Sequence, residues 1–308
     1  MKITFVLPIH NESQNITILY EKLLEVIDHL QFWDYQMVFI NDGSKDDSRL
    51  QLLTLYRKDK KLTLIDLSRN FWHEVAVKAW LDHAEGDYVV IMDTDLQDPP
   101  HVIIDMWNTL KQWYDIVYAK RKTRKDGFLK DITAKYFYKF INAIASIQIP
   151  KDTGNFRIFT KQVLEAVRQC NEQSRFIRWL FAWVWFRQGM VEFDRVKRIH
   201  WETSYPLSKM FKLTFDALVS FSDLPLKMAT GLGFLFSFLG FISWLFFIVL
   251  KFVNPTMYAF GITTTIILIF VLSGVQLIVL GIMGEYIARI YNESRNRPLY
   301  IIKEIYAT

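Results

Sequence analysis

The chain joins two patterns of apolar and polar positions end to end. In the first, short runs rich in β-branched and aromatic residues (3–9, 36–41, 62–66, 88–93 and 116–119) alternate with stretches whose apolar positions recur at helical spacing. That alternation predicts an α/β domain with a doubly wound, Rossmann-like, mostly parallel sheet, because parallel strands need long crossovers that helices supply. In the first crossover Ile16, Leu19, Leu23 and Val26 share one face, with Asn11 or Ser13 placed to cap the helix.

The second pattern begins after residue 223. Residues 228–250 and 256–284 carry no charged side chain and show no polar face. A helix rises 1.5 Å per residue, so about 20 apolar residues cross a bilayer core, and both stretches are longer than that. Two transmembrane helices are expected. Their connection holds one lysine, Lys251, whereas the tail holds Arg289, Arg295, Arg297 and Lys303, so the positive-inside bias places both termini in the cytosol. The N-terminus lacks a signal-peptide pattern, which leaves the α/β domain on the same side. The expected protein is thus an integral membrane protein with two spans. Just before the first span, Leu207, Met210, Phe211, Phe215, Leu218 and Phe221 recur at helical spacing among Lys209 and Lys212, the pattern of an interfacial helix. Residues 128–147 repeat the pattern, and packing on the domain core explains them equally well. The expected partition is 1–205 cytosolic α/β domain, 206–223 interfacial helix, 224–284 membrane helices and 285–308 cytosolic tail.

Composition changes this picture little. The net charge of +5 is clustered in 120–130, in 175–198 and after Gly284, and beside a bilayer such clusters read as attraction to anionic headgroups rather than to nucleic acid. The single cysteine, Cys170, excludes an intrachain disulfide.

Candidate chemistry lies where the strands end, since open α/β sheets bind ligands there. The first run leads into Pro8-Ile9-His10-Asn11-Glu12, with neither a glycine-rich dinucleotide fingerprint nor a phosphate loop, which removes dinucleotide redox chemistry and P-loop hydrolysis. The second ends in Asn41-Asp42-Gly43-Ser44, either a turn with a helix cap or a site where Asp42 accepts a hydrogen bond from a base N–H. The fourth ends in Asp93-Thr94-Asp95-Leu96-Gln97-Asp98. If the chain stays extended there, Asp93, Asp95 and Gln97 point to one side, and three hard oxygen donors suit Mg²⁺ or Mn²⁺.

Taken together, Pro8 to Glu12, Asn41 to Ser44, Leu67-Ser68-Arg69-Asn70-Phe71, Asp93 to Pro100 and Gly154-Asn155-Phe156-Arg157 resemble the family 2 glycosyltransferases. Arg175-Phe176, Leu180-Phe181-Ala182-Trp183, Gly274-Val275-Gln276-Leu277, Gly284-Glu285-Tyr286 and Arg297-Pro298-Leu299-Tyr300 narrow the resemblance to the polyisoprenyl-phosphate glycosyltransferases of bactoprenol glucosyltransferase type, relatives of dolichyl-phosphate mannose synthase. It implies a GT-A fold, a nucleotide-sugar donor with UDP-glucose first, a divalent cation, inverting transfer to undecaprenyl or a similar polyprenyl phosphate, and a homotetramer. It also implies donor binding by Pro8, His10, Asn11, Glu12, Asp42, Ser44, Arg69, Asp93 and Thr94. Arg121, Lys130, Lys135 and Arg157 are candidates for the acceptor phosphate.

Three departures from the type stand out. Asn155 occupies the position where the type carries an aspartate, the residue usually proposed as base. Asn cannot take a proton, so either the substitution is an engineered one that traps a complex, or Asp152 takes part, or an anionic acceptor needs only positioning, with Arg157 beside it. The others are Phe71-Trp72-His73-Glu74, where Gly-Lys is commoner between Phe and Glu, and Thr203-Ser204-Tyr205-Pro206. Two competing readings follow from the same residues. A processive polysaccharide synthase would need more spans and a Gln-x-x-Arg-Trp motif, but Gln173 stands five residues before Arg178-Trp179. A catalytically silent membrane relative is favoured by Asn155 alone.

Overall fold

The computed structural model describes residues 1–71, 73–122, 153–170, 177–194, 224–253 and 261–307. The expectations for Lys130, Lys135, Asp152, Trp72, the 128–147 stretch and the interfacial helix lie outside these residues. The chain divides into two compact units, one built on a sheet and including the C-terminal residues, the other on the two long apolar helices.

The first unit holds strands β1 (Lys2–Ile9), β2 (Asp34–Asn41), β3 (Leu62–Leu67), β4 (Tyr88–Ile91), β5 (Ile116–Arg121), β6 (Thr153–Thr160), β7 (Gln188–Phe193) and β8 (Ile302–Tyr306). Between them run α1 (Ser13–Leu30), α2 (Ser48–Lys58), α3 (His73–Leu81), α4 (Val102–Leu110), α5 (Lys161–Arg168) and α6 (Ile177–Trp183). The strands form one sheet in the order β7-β5-β6-β4-β1-β2-β3-β8. Strand β1 is parallel to both β2 and β4, and β2 to β3, whereas β6 and β8 run antiparallel to their neighbours.

Alternation in the strands separates two cores. Ile3, Phe5, Leu7 and Ile9 of β1 face one side with Ile16, Leu19 and Leu23 of α1, Leu52 of α2 and Ile103 of α4. Val6, Val38, Ile65 and Ile91 face the other, against Val75 and Trp80 of α3, Val163 of α5 and Phe181 of α6. A central parallel strand buried on both faces reads as a continuous apolar run, as β1 does.

Two local expectations are corrected. Strand β4 stops at Ile91, not Asp93, because the chain bends from Thr94 and Leu96 adopts φ 57°. Neither Asn11 nor Ser13 caps α1. Glu12 holds the cap position with no side-chain bond to the helix's backbone N–H groups, and the N–H groups at the helix start are taken by the loop after β2 and the first residue of α2. There the Glu12 N–H donates to Ser48 Oγ at 3.0 Å and that of Ser13 to Asp46 Oδ2 at 3.1 Å. These side chains fill the role a cap residue would otherwise have.

The residues read as a tail carry regular structure. In the second unit α7 (Leu224–Val253) is followed by α8 (Gly261–Ser294), which runs ten residues past the expected boundary at Gly284. The chain after it supplies β8, the edge strand beside β3. Segments Pro225–Ser243 and Leu268–Ser294 are long and apolar enough to cross a membrane, and almost none of their residues are buried. Large side chains such as Phe234, Phe238, Phe246 and Phe270 are exposed, an arrangement that water would penalise and hydrocarbon would not. An apolar groove between α7 and α8 is lined by Met228, Leu232, Phe236, Ile278 and Ile282.

Candidate active site

Strand order reverses direction between β1 and β4, the point at which open α/β sheets bind ligands in a crevice beyond the carboxyl ends of the strands. The loops after β1, β2, β3 and β4 carry the motifs read from the sequence, and hydrogen bonds tie them together.

The loops after β1 and β2 are laced through Asn11, which adopts φ 58°. Its N–H donates to Ser44 Oγ at 3.0 Å, and its side-chain oxygen accepts from the Lys45 N–H at 2.8 Å. His10 Nδ1 lies 2.8 Å from the Asp42 carbonyl oxygen. A carbonyl only accepts, so Nδ1 carries the proton and Nε2 is left to accept from the Asn70 amide, 3.1 Å away on the loop after β3. His10 therefore joins three loops.

Asp42 is buried, and its Oδ1 accepts from the Phe71 N–H at 2.7 Å. One of its oxygens thus holds the loop after β3. Gly43 between these loops has φ +63°, and a Cβ there would lie 2.5 Å from the Asn70 nitrogen and 2.6 Å from the Arg69 carbonyl carbon. Both the left-handed backbone and the approach of the neighbouring loop require glycine. Arg69 is exposed, with its guanidinium over the Phe71 ring at 4.6 Å from the centroid.

The loop after β4 is anchored by Thr94, whose hydroxyl donates to the Pro8 carbonyl at 3.0 Å. The Gln97 N–H donates to Asp95 Oδ1 at 3.2 Å. The segment is therefore turned rather than extended, so strand alternation does not set the directions of Asp93, Asp95 and Gln97. Gln97 is buried, and its Oε1 has no hydrogen-bond partner among the described residues. An amide oxygen left so in a carboxylate-bearing loop fits a hard divalent cation. No three His, Cys, Asp or Glu side chains converge on a metal position among the described residues. The available donors are then two carboxylates and the amide, and ligand oxygens would complete the set.

A second cluster lies where β5, β6 and the loop after β4 meet. Arg121 Nη2 is 3.8 Å from Asp98 Oδ1, and Asp98 is 1% exposed. A Cβ on Gly154 would lie 3.3 Å from Arg121 Nη2, so a larger residue would press on the guanidinium. Asn155, next along β6, is buried at 6% exposure. Arg157 is buried too. Its Nε and Nη2 donate to the carbonyls of Asn155 and Gly154 at 3.2 and 3.0 Å, and its guanidinium lies over the Phe181 ring at 4.5 Å. That side chain braces the Asn155 segment rather than reaching outward.

The structure thus brings together Pro8, His10, Asn11, Asp42, Ser44, Asn70 and Thr94 by direct bonds, and Arg121 with Gly154 and Asp98. Sequence reasoning passed over Asn70 and Asp98. Each stands inside a longer motif with no role assigned to it, and the burial of Asp98 has no signal in the sequence.

Comparison with known proteins gives the family. The model of glycosyl transferase family 2 matches residues 4–168. The chain is 41% identical over 305 residues to the uncharacterized glycosyltransferase YkcC of Bacillus subtilis, covering 98% of this chain and 94% of the relative. It is 37% identical over 306 residues to the bactoprenol glucosyl transferase of Shigella phage SfV, covering 98% of each. Among solved structures, the mannosyltransferase PcManGT from Pyrobaculum calidifontis in complex with GDP-Man and Mn²⁺ is 18% identical with a TM-score of 0.46, covering 64% of this chain and 57% of that one. Matched by the family model over more than half its length and by relatives over nearly all of it, this chain belongs to glycosyltransferase family 2 and is a transferase of GT-A architecture with two apolar C-terminal helices.

Proposed function

We propose that the protein transfers a hexose from a nucleotide-sugar, UDP-glucose first among the donors, to a polyprenyl phosphate at the cytosolic face of a bacterial membrane, with inversion at the anomeric carbon. The observation that carries this reading is the joining of the loops after β1 to β4 at the crevice, in a chain whose near full-length relatives include bactoprenol glucosyl transferases. Two apolar helices in the same chain supply a reason for a lipid acceptor.

In this reading Pro8, His10, Asn11, Glu12, Asp42 and Ser44 receive the nucleoside, and Arg69 meets diphosphate oxygens with a guanidinium suited to bidentate contact. Asp93, Asp95 and Gln97 would hold Mg²⁺ or Mn²⁺, with Thr94 fixing their loop on β1. When bound, the cation supplies charge neutralisation for the departing nucleoside diphosphate. Arg121, with Lys130 and Lys135, attracts the acceptor phosphate. A homotetramer belongs to the proposal on family resemblance alone.

The acceptor's chemistry explains why Asn155 is compatible with turnover. The second pKa of a phosphate monoester is about 6, so the attacking oxygen is already anionic near neutral pH. The bond from that oxygen to the anomeric carbon forms as the bond from the carbon to the donor diphosphate breaks. The electron pair leaves with the nucleoside diphosphate, and no proton need be removed. Asn155, buried and braced by Arg157, then positions rather than deprotonates, and Asp152 need not act as a base. The test is a donor panel: the full chain in detergent with undecaprenyl phosphate, Mg²⁺ and radiolabelled UDP-glucose, UDP-N-acetylglucosamine, UDP-galactose or GDP-mannose. Lipid-extractable label with one donor is expected; absence of label with every donor contradicts the proposal.

A further inference from the structure

A row of polar side chains crosses the sheet just behind the loop that bears Asp42 and Ser44. The strand register places Asn41 of β2 opposite Asp66 of β3, and Asp66 opposite Glu304 of β8. On β2 and β3 the same face is otherwise apolar, with Met37, Phe39, Leu62 and Leu64 in the core. Asn41 and Asp66 are 1% and 3% exposed. Two carboxylates directly opposite on adjacent strands repel each other, and burial raises the cost.

Arg49 of α2, one turn before the core residue Leu52, resolves that conflict. Its Nε donates to Asp66 Oδ2 at 2.6 Å, and its Nη2 donates to Glu304 Oε2 at 2.6 Å and lies 3.2 Å from the Tyr306 hydroxyl. Tyr306 in turn donates to Glu304. That bond, with Arg49 and Lys303 nearby, holds the Glu304 carboxyl below its usual range. At the other end of the row Asp66 Oδ1 accepts from Asn41 Nδ2 at 2.6 Å, and Asn41 Oδ1 accepts from the Ser44 N–H at 3.1 Å. The Ser44 hydroxyl then takes the Asn11 N–H. An unbroken set of hydrogen bonds therefore runs from the C-terminal strand to the loops after β1 and β2.

We infer that Arg49, Asp66 and Glu304, acting through Asn41, are positioning residues for the nucleotide: the C-terminal strand sets the Asp42–Ser44 loop and thereby tunes donor affinity. The inference rests on the donor site proposed above. It gives the residues after α8 a task in donor binding that neither the membrane helices nor the acceptor requires.

The test uses the full chain in detergent, with UDP as probe in calorimetry and the transfer assay alongside. The native chain binds UDP. Arg49→Met leaves two facing carboxylates without their cation, and losing a charged hydrogen-bonding partner in this way is expected to weaken UDP binding about tenfold. The KM for donor should rise with it, while the KM for lipid phosphate and kcat stay near native values. Arg49→Lys, which can reach one carboxylate at a time, should recover part of the loss. Glu304→Ala, at a partly exposed edge position, should weaken UDP binding by a smaller factor and provides the reading if Arg49→Met does not fold. A fall in melting temperature with unchanged UDP affinity in both Arg49→Met and Glu304→Ala would show the row to be structural and overturn the inference. Failure of the native chain to bind either UDP or GDP would overturn the donor site itself, and this inference with it.

Discussion

Gly43 and Asp42 show how little freedom the crevice allows at single positions. Gly43→Ala places a methyl group 2.5 Å from the Asn70 nitrogen in a left-handed conformation, so the loop after β3 must move. Strain of this kind costs roughly 1–3 kcal/mol; we expect a drop in melting temperature together with weaker donor binding, read by calorimetry. Asp42→Ala strips the Phe71 N–H of its buried acceptor, at about 1–3 kcal/mol. Asp42→Asn keeps an oxygen for that bond, so denaturant titration should find it less destabilised than the alanine variant. At Asn155 the account expects native turnover without a base. Asn155→Asp should leave kcat within about tenfold of native, and a native chain with no turnover beside an active Asn155→Asp variant would refute the positioning role.

At the scale of elements, much was legible in advance, and the failures have physical causes. The strands β1, β2, β3 and β5 lie within two residues of their expected positions because each is a β-rich run bounded by polar residues. Strand β8 was invisible. Ile302-Lys303-Glu304-Ile305-Tyr306 alternates as an edge strand does, but its partner β3 lies more than two hundred residues earlier and pairs antiparallel. The Asn41–Asp66–Glu304 row was hidden for the same reason, since cross-strand register has no signature in local sequence. The spacing argument for Asp93, Asp95 and Gln97 assumes an extended chain, whereas the structure bends there and keeps Gln97 buried. The α1 face was predicted correctly: Ile16, Leu19, Leu23 and Val26 are all buried. Leu19→Ala should therefore cost about 2–5 kcal/mol of unfolding free energy, measured on an isothermal denaturation curve.

For the whole molecule, the chain couples a sheet domain with oxygen-lined loops to two helices that expose apolar side chains along their length. If the helices span a bilayer, the protein should stay with the membrane fraction through alkaline carbonate and leave only with detergent; release by carbonate would count against the spans. If Asp93, Asp95 and Gln97 hold a divalent cation, chelation should abolish transfer and Mg²⁺ or Mn²⁺ should restore it, while Gln97→Ala should raise the cation concentration needed for half-maximal rate. The central claim is that this site joins a sugar to a lipid phosphate. Its most direct test is mass spectrometry of the lipids extracted after incubating the full chain with undecaprenyl phosphate, UDP-glucose and Mg²⁺. A hexosyl lipid phosphate is expected from the native chain and none from an Asp93→Ala, Asp95→Ala double variant. The same product from that variant, or no glycosylated lipid from the native chain with any nucleotide-sugar, would contradict it.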